Sequence, residues 1–543
     1  MSNLASLTPS VSSRTTEPEP AVKRPTQIAY VLAVSVVVGL GLWFRWRGID
    51  SQSMWADEGY TTWLTKYSLS AIFTVLPTDN HPPLYYYLLH LWRGIFGSSV
   101  FSIRSLSVVS STLCLPVMYL LARRIFESRL CGLIALSFAA LSYSPIWYAK
   151  EARCYALLEL VSCLCVYSMV LALEKASIAR LLLVCLFTTA LLYTHTMALF
   201  YVPGVVVFWI CYPSKLDTRV RLKHAALIAA VVLLLYAPWI RTLWTQVRWV
   251  HTGFWPAKPD LTALLKTICM YCGVDTDNLQ PAIRAHLPGT RLFGFLTWVP
   301  LVVISLGWGF VDGITSREAA VRRKVLAISA FAALPILLVF VDSRLLTSVF
   351  VNRVFIGAGV FLPLLFCFPI AYSRNWSIYA RVAPAVIILM VAALSLSVQH
   401  EQRADWRGVT RFVLSLPEPQ REVFAFQPFC QMLLDYYSNQ LAHPGNSVQI
   451  RGLMTKAEIE DPTNPTPHIP VLADADPLGM LSDAIASQQY KEIDVALQMY
   501  RLPPSLTAMP GFLQTHCAAV TATDFGGMRV TRCMLAQQRG HAG

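Results

Sequence analysis

Charge is what this sequence has least of. Only 14% of its 543 residues are Asp, Glu, Lys or Arg, whereas 55% are hydrophobic. The mean hydropathy is +0.50. A soluble globular domain carries about 25% charged residues, which excludes an ordinary soluble enzyme. Nucleotide-binding signatures are also missing, since no Gly-rich phosphate loop and no dinucleotide fingerprint occurs. No internal repeat relates the two halves, as the common transporter folds require. The 13 cysteines are scattered, and Cys269 and Cys272 form a CxxC without the second pair that a zinc or redox site needs.

What is present is a series of long apolar runs. They lie near 28–44, 100–121, 131–147, 155–173, 178–193, 196–211, 225–243, 292–311, 325–341, 354–371 and 382–399. Runs of about 20 apolar residues are the length that crosses a bilayer as helix, so the sequence reads as about eleven spans. The net charge of +13 sits in short basic blocks between runs. That is the positive-inside pattern, and it accounts for the charge without nucleic acid. Residues 1–26 read as a disordered cytoplasmic tail, and the first run as an uncleaved signal anchor rather than a removed leader.

With the N-terminus inside, every Lys/Arg-rich turn falls on the cytoplasmic side of a plasma or inner membrane. Residues 27–402 then form the membrane domain, with a first outer loop at 45–99. An odd span count places 403–543 outside, where "EVFAF", "IPVLA", "EIDVAL" and "MRVTRCML" read as strands of a small α/β domain. Tyr85, Tyr86, Tyr87 and Trp92 suit interfacial helices that hold the outer loop on the membrane surface.

Four polar clusters remain on that outer face: Asp57-Glu58 in "MWADEGYTTW", Asp79 and His81 before Pro-Pro, Lys150, Glu151 and Arg153 in "YAKEARCY", and Asn352-Arg353 in "SVFVNRVF". Glu151, Tyr155 and Glu159 recur at helical spacing, and Glu159 enters the apolar run, where an ionisable residue is a functional candidate. Each cluster also has a bland reading. The acids and His81 serve equally as solvated loop or turn residues, Lys150 and Arg153 as snorkelling anchors, and His195 in "YTHTMALF" as a satisfied turn histidine.

Together, "WADEGYTT", "HPPLYYYLLHLW", "IRSLS", "YAKEARCYALL", "YTHTMALF" and "ADWRGVTRF" resemble the membrane-bound glycosyltransferases of the GT-C fold. The resemblance is to the bacterial branch related to the dolichyl-phosphate-mannose–protein mannosyltransferases and to the aminoarabinose transferase of lipid A. It is densest from Ile28 to about Phe208. It implies a polyprenyl-phosphate sugar donor and an envelope acceptor (protein, lipid or glycan), with Asp57, flanked by Glu58, at the position of the catalytic base. It further implies donor-phosphate contacts at Arg153 and Arg353, with His81, Tyr85, Lys150, Glu151, Tyr155 and Asn352 as their substrate-binding neighbours. The aminoarabinose transferases carry lysine before Pro-Pro where this chain has His81. Some relatives bind a divalent metal ion beside the acidic loop, for which Asp57, Asp79, His81 and Glu151 offer ligands. The rival readings are a polytopic transporter of a small solute or lipid, and a scaffold whose outer domain binds envelope polymers.

Overall fold

The computed structural model describes residues 24–251, 254, 256–274, 291–396, 403–415, 422–441, 449–452, 476–487, 492–498 and 504–535. The tail at 1–23 and the "IPVLA" segment lie outside the described residues. Among the described residues, eight helices are long and apolar enough to cross a membrane, or nine if the bent pair Arg129–Leu141 and Tyr143–Ala149 is one span. The two remaining apolar runs form the 17-residue helix Ile178–Thr194 and a helical segment over Thr196–Cys211, both shorter than a full span. A further short apolar helix, Leu261–Tyr271, comes from a stretch that the apolar pattern does not mark as a span. The Cys269 and Cys272 thiols at its end are buried and unbonded.

The bundle shows lipid-compatible faces, with Ile28, Leu32, Leu233, Leu234, Ile304 and Met390 exposed. With lipid as apolar as a core, close packing and internal polar contacts must join the helices. Arg45 does this for the first helix, Arg24–Trp46: fully buried, it donates to Ser111 Oγ (2.9 Å) and to the carbonyls of Ala139 (2.7 Å) and Ala140 (3.2 Å). Ser111 in turn donates to Glu159 Oε2 at 3.4 Å. The intramembrane acid of the sequence is therefore part of a polar clamp between helices.

Beyond the bundle, five strands among the described residues form a mixed sheet in the order β2-β1-β3-β5-β4. They are β1 (Glu422–Ala425), β2 (Gln449–Gly452), β3 (Glu492–Gln498), β4 (Ala519–Phe525) and β5 (Met528–Met534). β1 pairs in parallel with β2 and β3, while β3–β5 and β4–β5 are antiparallel. β4 and β5 join through Gly526 and Gly527, both at positive φ (51° and 90°), as a tight hairpin turn demands. The sequence pattern marks β1, β3 and β5, and leaves β2 and β4 as part of the connections. A disulfide, Cys517–Cys533, ties β5 to the chain entering β4.

The sheet domain is not a separate bead. The helix Ala56–Leu64, in the loop after the first helix, packs on the helix Pro428–Leu441, where Leu433 fills the space beside Gly59 and Tyr437 Oη accepts from the Met54 amide (2.8 Å). One continuous apolar core runs from the bundle through Trp63, Leu64, Trp406 and Leu433. A second cluster, with Phe424, Leu481, Ile493 and Val495, fills the other face of the sheet.

Helix packing within the bundle yields a test. A methyl group on Gly309 would lie 2.1 Å from the Leu365 carbonyl oxygen, while Gly307 has open space. Overpacking of this kind costs about 1–3 kcal/mol. Gly309→Ala should lower the thermal midpoint of the purified protein, and Gly307→Ala, which gains helix propensity without a clash, should hold or raise it.

Candidate active site

Asp57 and Glu58 occupy the first turn of the Ala56–Leu64 helix, where the exposed amide dipoles favour negative charge. Their surroundings differ completely. Glu58 is fully buried and takes donors on both oxygens: Arg104 Nε at 2.8 Å and the Ala152 amide at 2.8 Å on Oε1, then Arg104 Nη2 at 2.7 Å, Arg403 Nη1 at 3.0 Å and the Trp55 amide at 3.3 Å on Oε2. Burial by itself raises this carboxyl's pKa. The two arginines and the Ala152 amide outweigh that and hold it below its ordinary value. Asp57 is half-buried, and its carboxylate has one arginine partner, Arg353 Nη2 at 3.4 Å.

Behind Asp57 lies a floor of buried polar groups. The Arg153 guanidinium donates to the Asp57 carbonyl (3.4 Å) and Thr61 Oγ1 (2.9 Å), and lies 3.1 Å from His81 Nε2. Asp79 accepts from Tyr86 Oη at 2.6 Å and lies 3.5 Å from His81 Nδ1. Burial, then the Arg153 charge, push the His81 pKa down against the pull of Asp79 and Asp57, so this imidazole is neutral at physiological pH. The Glu151 carboxylate accepts from Arg403 Nη2 at 2.6 Å on Oε1, while its Oε2 is buried without a hydrogen-bond partner among the described residues. Burial raises its pKa despite the pull of Arg403.

Two cavities meet at Arg353. One is a largely apolar groove lined by Met197, Phe200 and Val250, with His81, His195, Gln246, Asp342 and Arg353 among its polar groups. The other, about 420 Å³, lies between the outer loop and the sheet domain, lined by Trp55, Trp147, Glu151, Arg353 and Arg403. The Arg353 guanidinium sits over the Trp55 ring at 5.1 Å and the Tyr155 ring at 5.6 Å, a cation–π setting that keeps it at the junction.

Asp57, His81, Glu151, Arg153, Tyr155 and Arg353 are thus brought together. Tyr85 is not among them: its hydroxyl is paired with Ser107 Oγ at 2.9 Å, and Tyr86, one helical step away, faces the floor instead. Asn352 also turns aside, accepting from Thr267 Oγ1 at 2.9 Å to hold the Leu261–Tyr271 helix. Lys150 donates to the Arg47 carbonyl (2.9 Å) and lines a different cavity. Arg104, Arg403, Tyr86 and Cys154 escape the sequence reading. Arg104 lies within the "IRSLS" segment, but nothing local couples Arg403 to a glutamate 345 residues away. His195, read as a turn residue, stacks edge-on with His81 at 4.9 Å and lines the groove.

Asp57, Asp79, His81 and Glu151 do not converge as metal ligands, since Asp57 and Glu151 are turned to arginines. Among the described residues, the group with three ligand atoms in reach of one another is His81, Cys154 and His195. The Arg153 guanidinium against both His81 ring nitrogens opposes a cation there, so the residues do not fit a metal.

Removing one partner of a buried ion pair costs about 3–5 kcal/mol. Arg104→Ala, which takes two of its five donors from Glu58, should therefore lower the thermal midpoint of the protein markedly, with Arg104→Lys recovering only part. The folded carboxyl has a depressed pKa, so its stabilisation is complete at neutral pH. It is lost only as pH falls through that folded value, which a pH series of melts would read.

Residues 80–242 match the family of dolichyl-phosphate-mannose–protein mannosyltransferases. No curated protein matches the chain in sequence. Among solved structures, the chain is similar to ArnT from Cupriavidus metallidurans bound to undecaprenyl phosphate, at 13% identity and TM-score 0.50, over 95% of this chain and 100% of that one. It is also similar to the apo oligosaccharyltransferase of Archaeoglobus fulgidus, at 12% identity and TM-score 0.50, over 88% of this chain and 71% of that one. The chain is therefore a polytopic membrane protein with the GT-C glycosyltransferase fold, as the order of its motifs implies.

Proposed function

We propose that the chain is a glycosyltransferase that moves a sugar from a polyprenyl-phosphate donor to an envelope acceptor at the extracytoplasmic face, with Asp57 as general base. The observation that carries this reading is the division of labour in the acidic pair. Glu58 has no free oxygen, whereas Asp57 stands half-exposed beside an arginine that also lines an apolar groove. The similar ArnT structure, with undecaprenyl phosphate bound, supports a donor of that class.

In this reading the polyprenyl chain lies along Met197, Phe200 and Val250, and its phosphate meets Arg353 and the two histidines. The phosphate competes with Asp57 for the guanidinium and frees the carboxylate from a contact already long at 3.4 Å. The acceptor hydroxyl enters from the 420 Å³ cavity beside the sheet domain, the central cavity of the site. Its oxygen bonds to the anomeric carbon as the carbon–phosphate oxygen bond breaks, and Asp57 takes the hydroxyl proton. The leaving group is a phosphate, which needs its charge balanced rather than a proton, and a planar, permanently charged guanidinium meets that need. Arg153 holds the Asp57 backbone and the His81 ring in place, and Glu151 offers its unpartnered oxygen to a sugar hydroxyl.

Two observations support the outer face. The Lys/Arg bias places the loop outside. The Cys517–Cys533 disulfide suits an oxidising compartment. Impermeant maleimide applied to intact cells should label Ser68→Cys and Gln449→Cys, both exposed positions. Protection of either until the membrane is opened would reverse the orientation.

A positioned general base contributes roughly 10²–10⁴-fold to rate. Asp57→Asn should lose that much transfer from a polyprenyl-phosphate sugar in membranes, with protein level and melting unchanged. Near wild-type turnover would remove Asp57 from the base role. Glu58→Gln should instead fail through lost stability, seen as a lowered thermal midpoint.

A further inference from the structure

A third cavity, of about 780 Å³, shares Trp147 and Arg403 with the central one. Among the described residues its lining includes Arg47, Arg104, Lys150 and Arg403, and no Asp or Glu. Arg104 and Arg403 are committed to Glu58 and Glu151. Arg47 and Lys150 have no carboxylate partner among the described residues. The Lys150 ammonium rests on the Arg47 carbonyl (2.9 Å), and the Arg47 guanidinium lies over Trp43 at 5.6 Å. Burial, then Arg47, Arg45 and Arg104, bring the Lys150 pKa down to about 8. Like charges gathered around a partly enclosed space repel one another, and an anion in that space would relieve the repulsion.

The cavity's position says what kind of anion. Phe44 and Arg47 lie at the outer end of the first membrane-spanning helix, so this space borders the bilayer at headgroup depth. Tyr143 and Trp147 add aromatic faces to its wall. We propose that the cavity binds the phosphate-bearing headgroup of an acceptor lipid through Arg47 and Lys150, with the acceptor's hydroxyl extending past Trp147 towards Asp57. The naming of this headgroup as the acceptor's rests on the glycosyltransferase reading. The anion site itself does not.

The test uses the full-length protein in detergent and native mass spectrometry with four probes: phosphatidic acid, diacylglycerol, inorganic phosphate and undecaprenyl phosphate. Arg47 is exposed and Lys150 half-buried, so the double variant Arg47→Glu/Lys150→Glu leaves the packed core alone. Phosphatidic acid should bind the wild-type protein, and diacylglycerol should not. Two lost charge-assisted contacts should weaken phosphatidic acid by about tenfold or more in the variant. Undecaprenyl phosphate should bind wild type and variant alike, because its groove lies on the other side of Arg353. Phosphatidic acid binding that ignores the charge reversal, or equal binding of diacylglycerol, overturns the site. Inorganic phosphate binding as tightly as phosphatidic acid at the same residues overturns the lipid headgroup in favour of a free anion. If phosphatidic acid follows the charges while Asp57→Asn still transfers sugar, the catalytic reading fails and the anion site stands.

Discussion

A carboxylate sealed away from water must receive all its hydrogen bonds from protein, and Glu58 receives its own from widely separated parts of the chain. Arg104 comes from a membrane-spanning helix, the Ala152 amide from the turn between two others, and Arg403 from the entry to the sheet domain. Each donor fixes the position of its segment relative to the outer loop. An error in any of them would leave a buried charge short of partners, at a cost comparable to a large part of a domain's stability. The site's geometry therefore follows from satisfying one buried acid.

That constraint also separates two adjacent residues. Successive positions on a helix point about 100° apart, so when Glu58 faces inward Asp57 faces the opening. The same turn of backbone thus supplies a fixed anchor and a carboxylate with room to act. Arginine dominates the rest of the site for a related reason: near the bilayer, water is scarce, and a charge that cannot be lost by deprotonation keeps its role under desolvation. Arg153 supports the floor, Arg353 stands between the groove and the central cavity, and Arg403 stands between the central and basic cavities.

The sheet domain takes part in this arrangement. Its entry segment contributes Arg403, and Ser53 of the outer loop donates to Asp405 Oδ1 at 3.0 Å. Trp406 is buried in the same core as the outer-loop helix. Composition marks a domain from residue 403, because the change from apolar to mixed polarity is abrupt there. Packing adds that this domain closes one wall of the central cavity.

Much of this protein is determined by sequence alone. Bilayer thickness sets the length of apolar runs, and the Lys/Arg bias orders the loops, so the helical bundle and the shared face of Asp57, His81, Glu151, Arg153 and Arg353 are readable from one dimension. Alternation reveals β1, β3 and β5, whose residues are mostly buried, but not β4, which is largely exposed and lacks the apolar pattern. Only tertiary structure decided which acid of the pair is free, that Tyr86 rather than Tyr85 faces the floor, and that Asn352 turns away. It alone placed Arg403 on Glu58 and set Arg47 and Lys150 in the wall of one basic cavity. Those outcomes depend on side-chain direction and on contacts between residues hundreds of positions apart, where local periodicity carries no information.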